Sequence, residues 1–267
     1  MRTGKELINN INSKNVLNGH LFFWWLGQHS FVVKTANRVF YLDPYLSGHP
    51  DRQIKPLLKP SEVTNADFIT GSHDHGDHID RNALPVMMKA SPKCRLVIPR
   101  ATWKSVKETG IDEARIIFLD DEKTYEEDGV RITGIKAAHE FFNRDEKEGY
   151  PYLGYVIETD GVTIYHSGDT CVYDGMATRL KLWDITVAFL PINGRDAKRL
   201  KAGCIGNMTY QEAVDLAGAI SPRLTVPSHY EMFAMNMEDP KKFAEYMDVK
   251  YPDLKYWIGE HGVAAGV

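Results

Sequence analysis

From residue 21 onward the chain alternates short, nearly continuous apolar runs with polar turns. LFFWWLG, SFVVKT and RVFYLD are rich in aromatic and β-branched residues and are broken by Gly, Asn and Asp, so they predict consecutive antiparallel strands. The first 18 residues predict a short polar helix. ADFIT (66–70) predicts another strand, and the stretch from Asp80 to Ala90 a helix with Asp80 at its N-cap. Strands and helices then alternate: CRLVIP, the helix ATWKSVKETG ending at Gly110, and ARIIFLD. VRITGIKAAH, YLGYVIET and VTIYHSGD form a second strand-rich stretch, with turn signals at Asp128-Gly129 and Asp160-Gly161. WDITVAFLP and RLTVPSH predict strands around the helix TYQEAVDLAGAI, and the helix DPKKFAEYMDV and the strand LKYWIG follow. Two strand-rich halves, each followed by helices, imply an α/β protein of two packed sheets with helices outside. No linker divides the chain, so one domain spanning 1–267 is expected.

Composition narrows the function little. Hydrophobic residues make up 43% and charged residues 25% of the 267, ordinary for a globular protein with a sizeable core. A net charge of −4 gives no general attraction to nucleic acid or to an anionic membrane. No leader pattern or membrane-length apolar run occurs. Cys94, Cys171 and Cys204 are odd in number and widely spaced, which argues against a disulfide framework and for a reducing, cytoplasmic setting. The expected partner is a small molecule; the oligomeric state, a homo-oligomer included, is left open.

The chemistry concentrates in GSHDHGDHID, residues 71–80. Unpaired imidazoles and carboxylates crowded into one loop are costly to bury. In a near-extended loop His73 and His75 point the same way and can share a metal ion, while Asp77 and His78 lie one turn onward and can reach a second. Two ions need further ligands. His139 ends one apolar run, Asp169 follows another in YHSGDT, and His229 follows a third in TVPSHY; each stands where a sheet delivers a side chain to a shared rim. Any one of them alone reads as a hydrogen-bonded structural residue. Together with the loop they predict a metal site, in which Asp77, between the ligand sets, would also orient the nucleophile. His and carboxylate ligands without thiolate suit Zn²⁺ or Mn²⁺.

The order H-x-H-x-D-H, His, Asp in a G-D-T turn, His resembles the hydrolase form of the metallo-β-lactamase superfamily over residues 24 to 230. The resemblance implies a four-layer αββα sandwich with a two-metal site on the sheet edges. It implies that His73, His75 and His139 hold one ion, that Asp77, His78 and His229 hold the other, and that Asp169 bridges them. It also implies that Asp43, in FYLDPYLSG, braces the histidine loop; an Asx-Pro turn is the plainer alternative. Branches of the superfamily with Cys at the Asp169 position, Glu at the His75 position, or a helical substrate domain after the last His do not match.

WLGQHSFVVKTANRVFYLDPYLSG, FLPINGRD, CIGNMTYQEAVDLA and VPSHYEMFAMNMEDPKKF are similar to the L-ascorbate-6-phosphate lactonase group, a resemblance that tilts the metal toward Mn²⁺. It implies opening of a phosphorylated sugar-acid lactone by hydroxide generated between two ions. Arg195, after WDITVAFLP and the turn at Ile192-Asn193-Gly194, is the candidate phosphate clamp, with Asn193 a neighbouring donor. Lys198 and Lys201 read as a solvated charge run. His29 and His166 are either proton donors or structural hydrogen-bonders. The rival readings are a small or cyclic phosphodiesterase using the same site, and a non-catalytic metal-binding protein.

Overall fold

Burial on both faces explains why the early strands read as unbroken apolar runs. The computed structural model describes all 267 residues. β1 (Phe22–Gly27), β2 (Ser30–Lys34), β3 (Val39–Leu42), β4 (Phe68–Thr70), β5 (Arg95–Pro99) and β6 (Ile116–Leu119) belong to one sheet. β7 (Thr124–Glu127), β8 (Val130–Lys136), β9 (Leu153–Thr159), β10 (Val162–His166), β11 (Val187–Pro191) and β12 (Leu224–Ser228) form the other. A final strand, β13 (Ala264–Gly266), returns to the first sheet and pairs with β1. The strand orders are β13-β1-β2-β3-β4-β5-β6 and β12-β11-β10-β9-β8-β7.

On β1 the odd residues Phe23 and Trp25 join a cluster of 40 buried apolar residues that includes the second sheet, while Trp24 and Leu26 join a cluster of 24 on the other face. That second cluster contains Leu7, Ile8 and Ile11 of α1 (Gly4–Ser13), Met87 and Met88 of α2 (Leu84–Ala90) and Val106 of α3 (Trp103–Lys107). α4 (Met176–Leu180), α6 (Tyr210–Ile220) and α7 (Pro240–Lys250) contribute to the larger cluster, and α5 (Ala197–Lys201) buries no residue. The layers are helix, sheet, sheet, helix, an αββα sandwich of the α/β class.

Strand direction builds a rim. β3 to β6 run parallel, and β1 runs with them because β2 is antiparallel to both its neighbours. In the second sheet β10 to β12 are parallel, and β8 shares their direction across antiparallel β9. Side chains leaving the C-terminal ends of β1, β3 and β4 in one sheet, and of β8, β10, β11 and β12 in the other, are therefore delivered to the same edge of their sheet.

Several local expectations change. LKYWIG is not a strand; only Tyr256 makes an isolated bridge, to Thr225, and the segment instead packs its rings on the core. Helix α2 begins at Leu84, although Asp80 Oδ1 does accept the Ala83 N–H at 3.1 Å. The Asp-Gly signals are hairpin turns, with positive φ at Asp128 and Gly129 and again at Asp160 and Gly161. The first of them reveals β7, whose exposed TYEE carries no apolar pattern.

Candidate metal centre

The loop after β4 and the ends of β8, β10 and β12 bring all seven sequence candidates together. His73, His75 and His139 offer ligand atoms within 4.8 Å of one another, as do Asp77, His78 and His229, and a third set joins His73, His78 and Asp169. Asp169 lies between the first two sets. Its Oδ2 is 3.8 Å from His139 Nε2 and 3.2 Å from His229 Nε2, and its Oδ1 is 3.4 Å from His78 Nε2. His73 Nε2 and His75 Nδ1 face each other at 2.9 Å. A carboxylate reaching two imidazole sets suits the bridging position between two ions.

The rear atoms of the rings are tied down, which orients the front ones. His78 Nδ1 meets Asp43 Oδ2 at 2.7 Å, His139 Nδ1 meets the Gly206 carbonyl at 3.1 Å, and His73 Nδ1 meets Ser72 Oγ at 2.9 Å. With each Nδ1 engaged, each Nε2 is presented to the cluster. Asp43 is wholly buried; it also accepts the Ser72 N–H at 3.0 Å and the Ser72 hydroxyl, so it braces the loop from β3. By contrast, His78 Nε2 and Asp169 Oδ1 are buried without a hydrogen-bond partner. With Nδ1 turned to Asp43, His78 Nε2 offers a lone pair as Asp169 Oδ1 does, and two unpaired lone-pair atoms side by side fit a cation.

Electrostatics agree. Burial would raise the Asp169 carboxyl, but His229 and His78 hold it well below the usual carboxylate range. Burial opposes charge on His78, yet Asp169 and Asp77 raise it well above the ordinary imidazole value. His229 is raised against burial by Asp169 in the same way. His73, His75 and His139 go down, chiefly through burial, so this set stays neutral and ready to ligate.

Two further sequence candidates adjoin the centre without joining the ligand set. The Arg195 guanidinium donates to both Glu212 carboxylate oxygens, at 2.6 and 2.7 Å, and to the Asn207 carbonyl at 3.0 Å. The candidate phosphate clamp is thus already paired with Glu212, which also caps α6. Arg195 instead supports the segment whose Gly206 carbonyl orients His139. Asn193 is fully buried in an amide ladder, donating to Asn236 Oδ1 at 2.9 Å and accepting from Asn207 at 3.1 Å. His29 and His166 are buried behind the rim, with His29 Nδ1 2.6 Å from Ser228 Oγ and His166 Nε2 donating to the His29 carbonyl at 2.9 Å. His166 Nδ1 has no hydrogen-bond partner.

Sequence reasoning missed Gln28, at the end of β1. Its Nε2 donates to Asp77 Oδ2 at 2.7 Å and lies 3.2 Å from His229 Nε2. The only signal was its position, one residue past an apolar run. Beside Asp77 opens a cavity of about 380 Å³ lined by Tyr45, His49, Arg81, Asn82 and Phe233, among others.

Fold and site together define an αββα protein with a histidine–aspartate metal centre. The family model described as beta-lactamase superfamily domain matches residues 38–230, which contain all seven candidate ligands. A UPF0173 metal-dependent hydrolase of Thermococcus kodakarensis is 33% identical over 220 residues, covering 82% of this chain and 88% of the relative. Another, from Thermococcus onnurineus, is 31% identical over 85% of this chain and 92% of its own length. The chain thus belongs to the beta-lactamase superfamily and, within it, to these metal-dependent hydrolases.

Solved structures show the same fold. Igni18, a metallo hydrolase from Ignicoccus hospitalis, superposes with a TM-score of 0.73 at 21% identity, over 93% of this chain and 98% of that one. An isothiocyanate hydrolase from Delia radicum gut bacteria gives 0.68 at 18% identity, over 91% and 98%.

Proposed function

We propose that the protein opens the lactone ring of a phosphorylated sugar acid, such as L-ascorbate 6-phosphate, at a centre holding two divalent ions, Mn²⁺ or Zn²⁺. The observation that carries the two-ion reading is Asp169, whose carboxylate reaches His139 on one side and His78 and His229 on the other. The substrate follows from the resemblance of the motif-flanking segments to the lactonase group. His73, His75 and His139 would hold one ion, Asp77, His78 and His229 the second, with Asp169 between. When bound, such ions supply Lewis acidity and make water acidic enough to give hydroxide at neutral pH.

The chain's own residues do the rest. Asp77 lines the cavity, its Oδ2 turned to the ligand set and its Oδ1 without a protein donor. Oδ1 is thus placed to accept a proton from the attacking water and to return it to the oxygen expelled on ring opening. The cavity accommodates a small molecule, and Tyr45 and Phe233 are among its lining residues. Arg81, which also pairs with Asp74, and His49 line the cavity and would meet the phosphate there, while Arg195 is paired with Glu212.

The test is hydrolysis of L-ascorbate 6-phosphate by metal-stripped protein before and after Mn²⁺ or Zn²⁺ is added, with His75→Ala as control. Metal-dependent turnover that the variant lacks supports the lactonase. Two bound ions without turnover would sink this substrate, and turnover of cyclic phosphodiesters would replace it.

A further inference from the structure

Gln28 touches the metal centre without belonging to the recognisable ligand set. Its side chain is buried, 2% exposed, and its backbone is held in the left-handed region at φ 55°. That conformation is uncommon for a residue with a side chain and persists only where the surroundings enforce it. The enforcement is visible. The Gln28 N–H donates to Glu231 Oε1 at 2.8 Å, and the Gln28 carbonyl accepts the His229 N–H at 3.0 Å. His229 is left-handed too, at φ 61°. Glu231 Oε1 lies 3.2 Å from His261 Nε2, and the His261 ring stacks on Trp25 with centroids 4.1 Å apart. Two strained residues from different sheets are thus locked back to back.

The lock delivers the carboxamide between two atoms of a single ligand set. Nε2 reaches Asp77 Oδ2 and His229 Nε2, which are 3.8 Å from each other. No corresponding group stands beside His73, His75 and His139. A carboxylate oxygen has two lone pairs, so a hydrogen bond from Gln28 occupies one and leaves the other for a cation; the His229 Nε2 has only one, so the Gln28 Nε2–H donates to Asp77 and not to His229 when an ion is held there. The amide is uncharged and does not titrate, so it restrains Asp77 without adding a competing charge.

Resting on the two-ion reading above, we infer that Gln28 is a positioning residue for the second ion alone: it fixes the Asp77 oxygen and keeps it apart from His229 at the spacing a cation needs. Hydrogen-bond partners of metal ligands are typically worth about 10–100-fold in metal affinity, and the loss should fall on one of the two ions.

The experiment is stepwise Mn²⁺ titration of the metal-stripped full chain by calorimetry, with electron paramagnetic resonance on the loaded samples, for wild type, Gln28→Met and Gln28→Ala. Methionine keeps the length and volume but not the hydrogen bond; all three carry the same backbone strain. Wild type should take two ions per chain and give a spin-coupled pair. Both variants should keep the first binding step and lose about 10–100-fold in the second, with isolated-ion spectra at limiting Mn²⁺. Two unchanged steps in Gln28→Met would overturn the role of Gln28 while leaving the two-ion centre intact. Equal weakening of both steps would also overturn it, as a general structural defect. A single ion per wild-type chain would overturn the two-ion reading and this inference with it.

Discussion

Two neighbourhoods on the same rim of the sheets were candidates for chemistry, and they differ in how their unpaired atoms are arranged. At the Arg195 corner the charges are neutralised, guanidinium on carboxylate and helix cap on helix, and the buried atoms left without a partner, Asn207 Oδ1 and Arg199 Nε, do not face one another as a ligand set. At the histidine rim the back of each tethered ring is satisfied while the front is not, and two buried atoms have no partner. Charge in a rim loop is therefore a poor guide to function. The useful sign is the convergence of several ligating side chains on one point with their inner atoms unpaired, as at His78 Nε2 and Asp169 Oδ1.

That contrast can be broken most directly at Asp169. Asp169→Asn should remove the negative charge that both histidine sets face and lower turnover on the order of 10³-fold, measured as hydrolysis rate together with ions bound per chain. Retained activity would place the centre of the chemistry elsewhere. Next comes Asp43→Asn, which loosens His78 from behind. It should weaken metal binding by about 10–100-fold while leaving Asp169 in place, read by competition with a chromogenic chelator.

Proton linkage sharpens the same point. In the metal-free centre the carboxylates of Asp169 and Asp77 outweigh burial and hold His78 above the ordinary 6.5, as Asp169 does for His229. Below those raised values both rings are protonated, so an arriving ion must expel protons. Metal affinity should fall as pH drops through them and level off above them. Calorimetry in two buffers of different ionisation heat should record proton release near neutrality; none would mean that the rings are already neutral. The smallest effect belongs to the neutralised corner. Arg195→Met should leave KM for a phosphorylated substrate within about twofold and cost about 1 kcal/mol of stability, as for a partly exposed pair, measured by denaturant titration. A large rise in KM would return the phosphate to Arg195.

The same distinction explains what could be read from the sequence. Strands buried on both faces, such as FFWWLG and VAFLP, announce themselves, whereas β7 and β13 do not. TYEE is polar and exposed, AAG is too short to carry a period, and both are made strands by their neighbours. LKYWIG misled because its rings serve the core from outside the ladder. His73 to His78 were legible because their spacing is local, and the other three ligands because each ends an apolar run. Gln28 and Gly206 were not. Their partners lie 49 and 201 residues away for Gln28, and 67 for Gly206, separations at which only the assembled fold brings atoms together.

The rim also has a mechanical meaning. Four of its candidate ligands leave the first sheet and three leave the second, so an ion held there cross-links the halves of the sandwich much as a disulfide staples two chains. Unlike a disulfide, this staple is set by the free concentration of a metal, and its strength grows by mass action. Withdrawing the metal unfastens the seam at its loops, where a protease gains first access. Scarcity of the ion would then shorten the life of the chain itself, linking the abundance of the protein to the supply of its own cofactor.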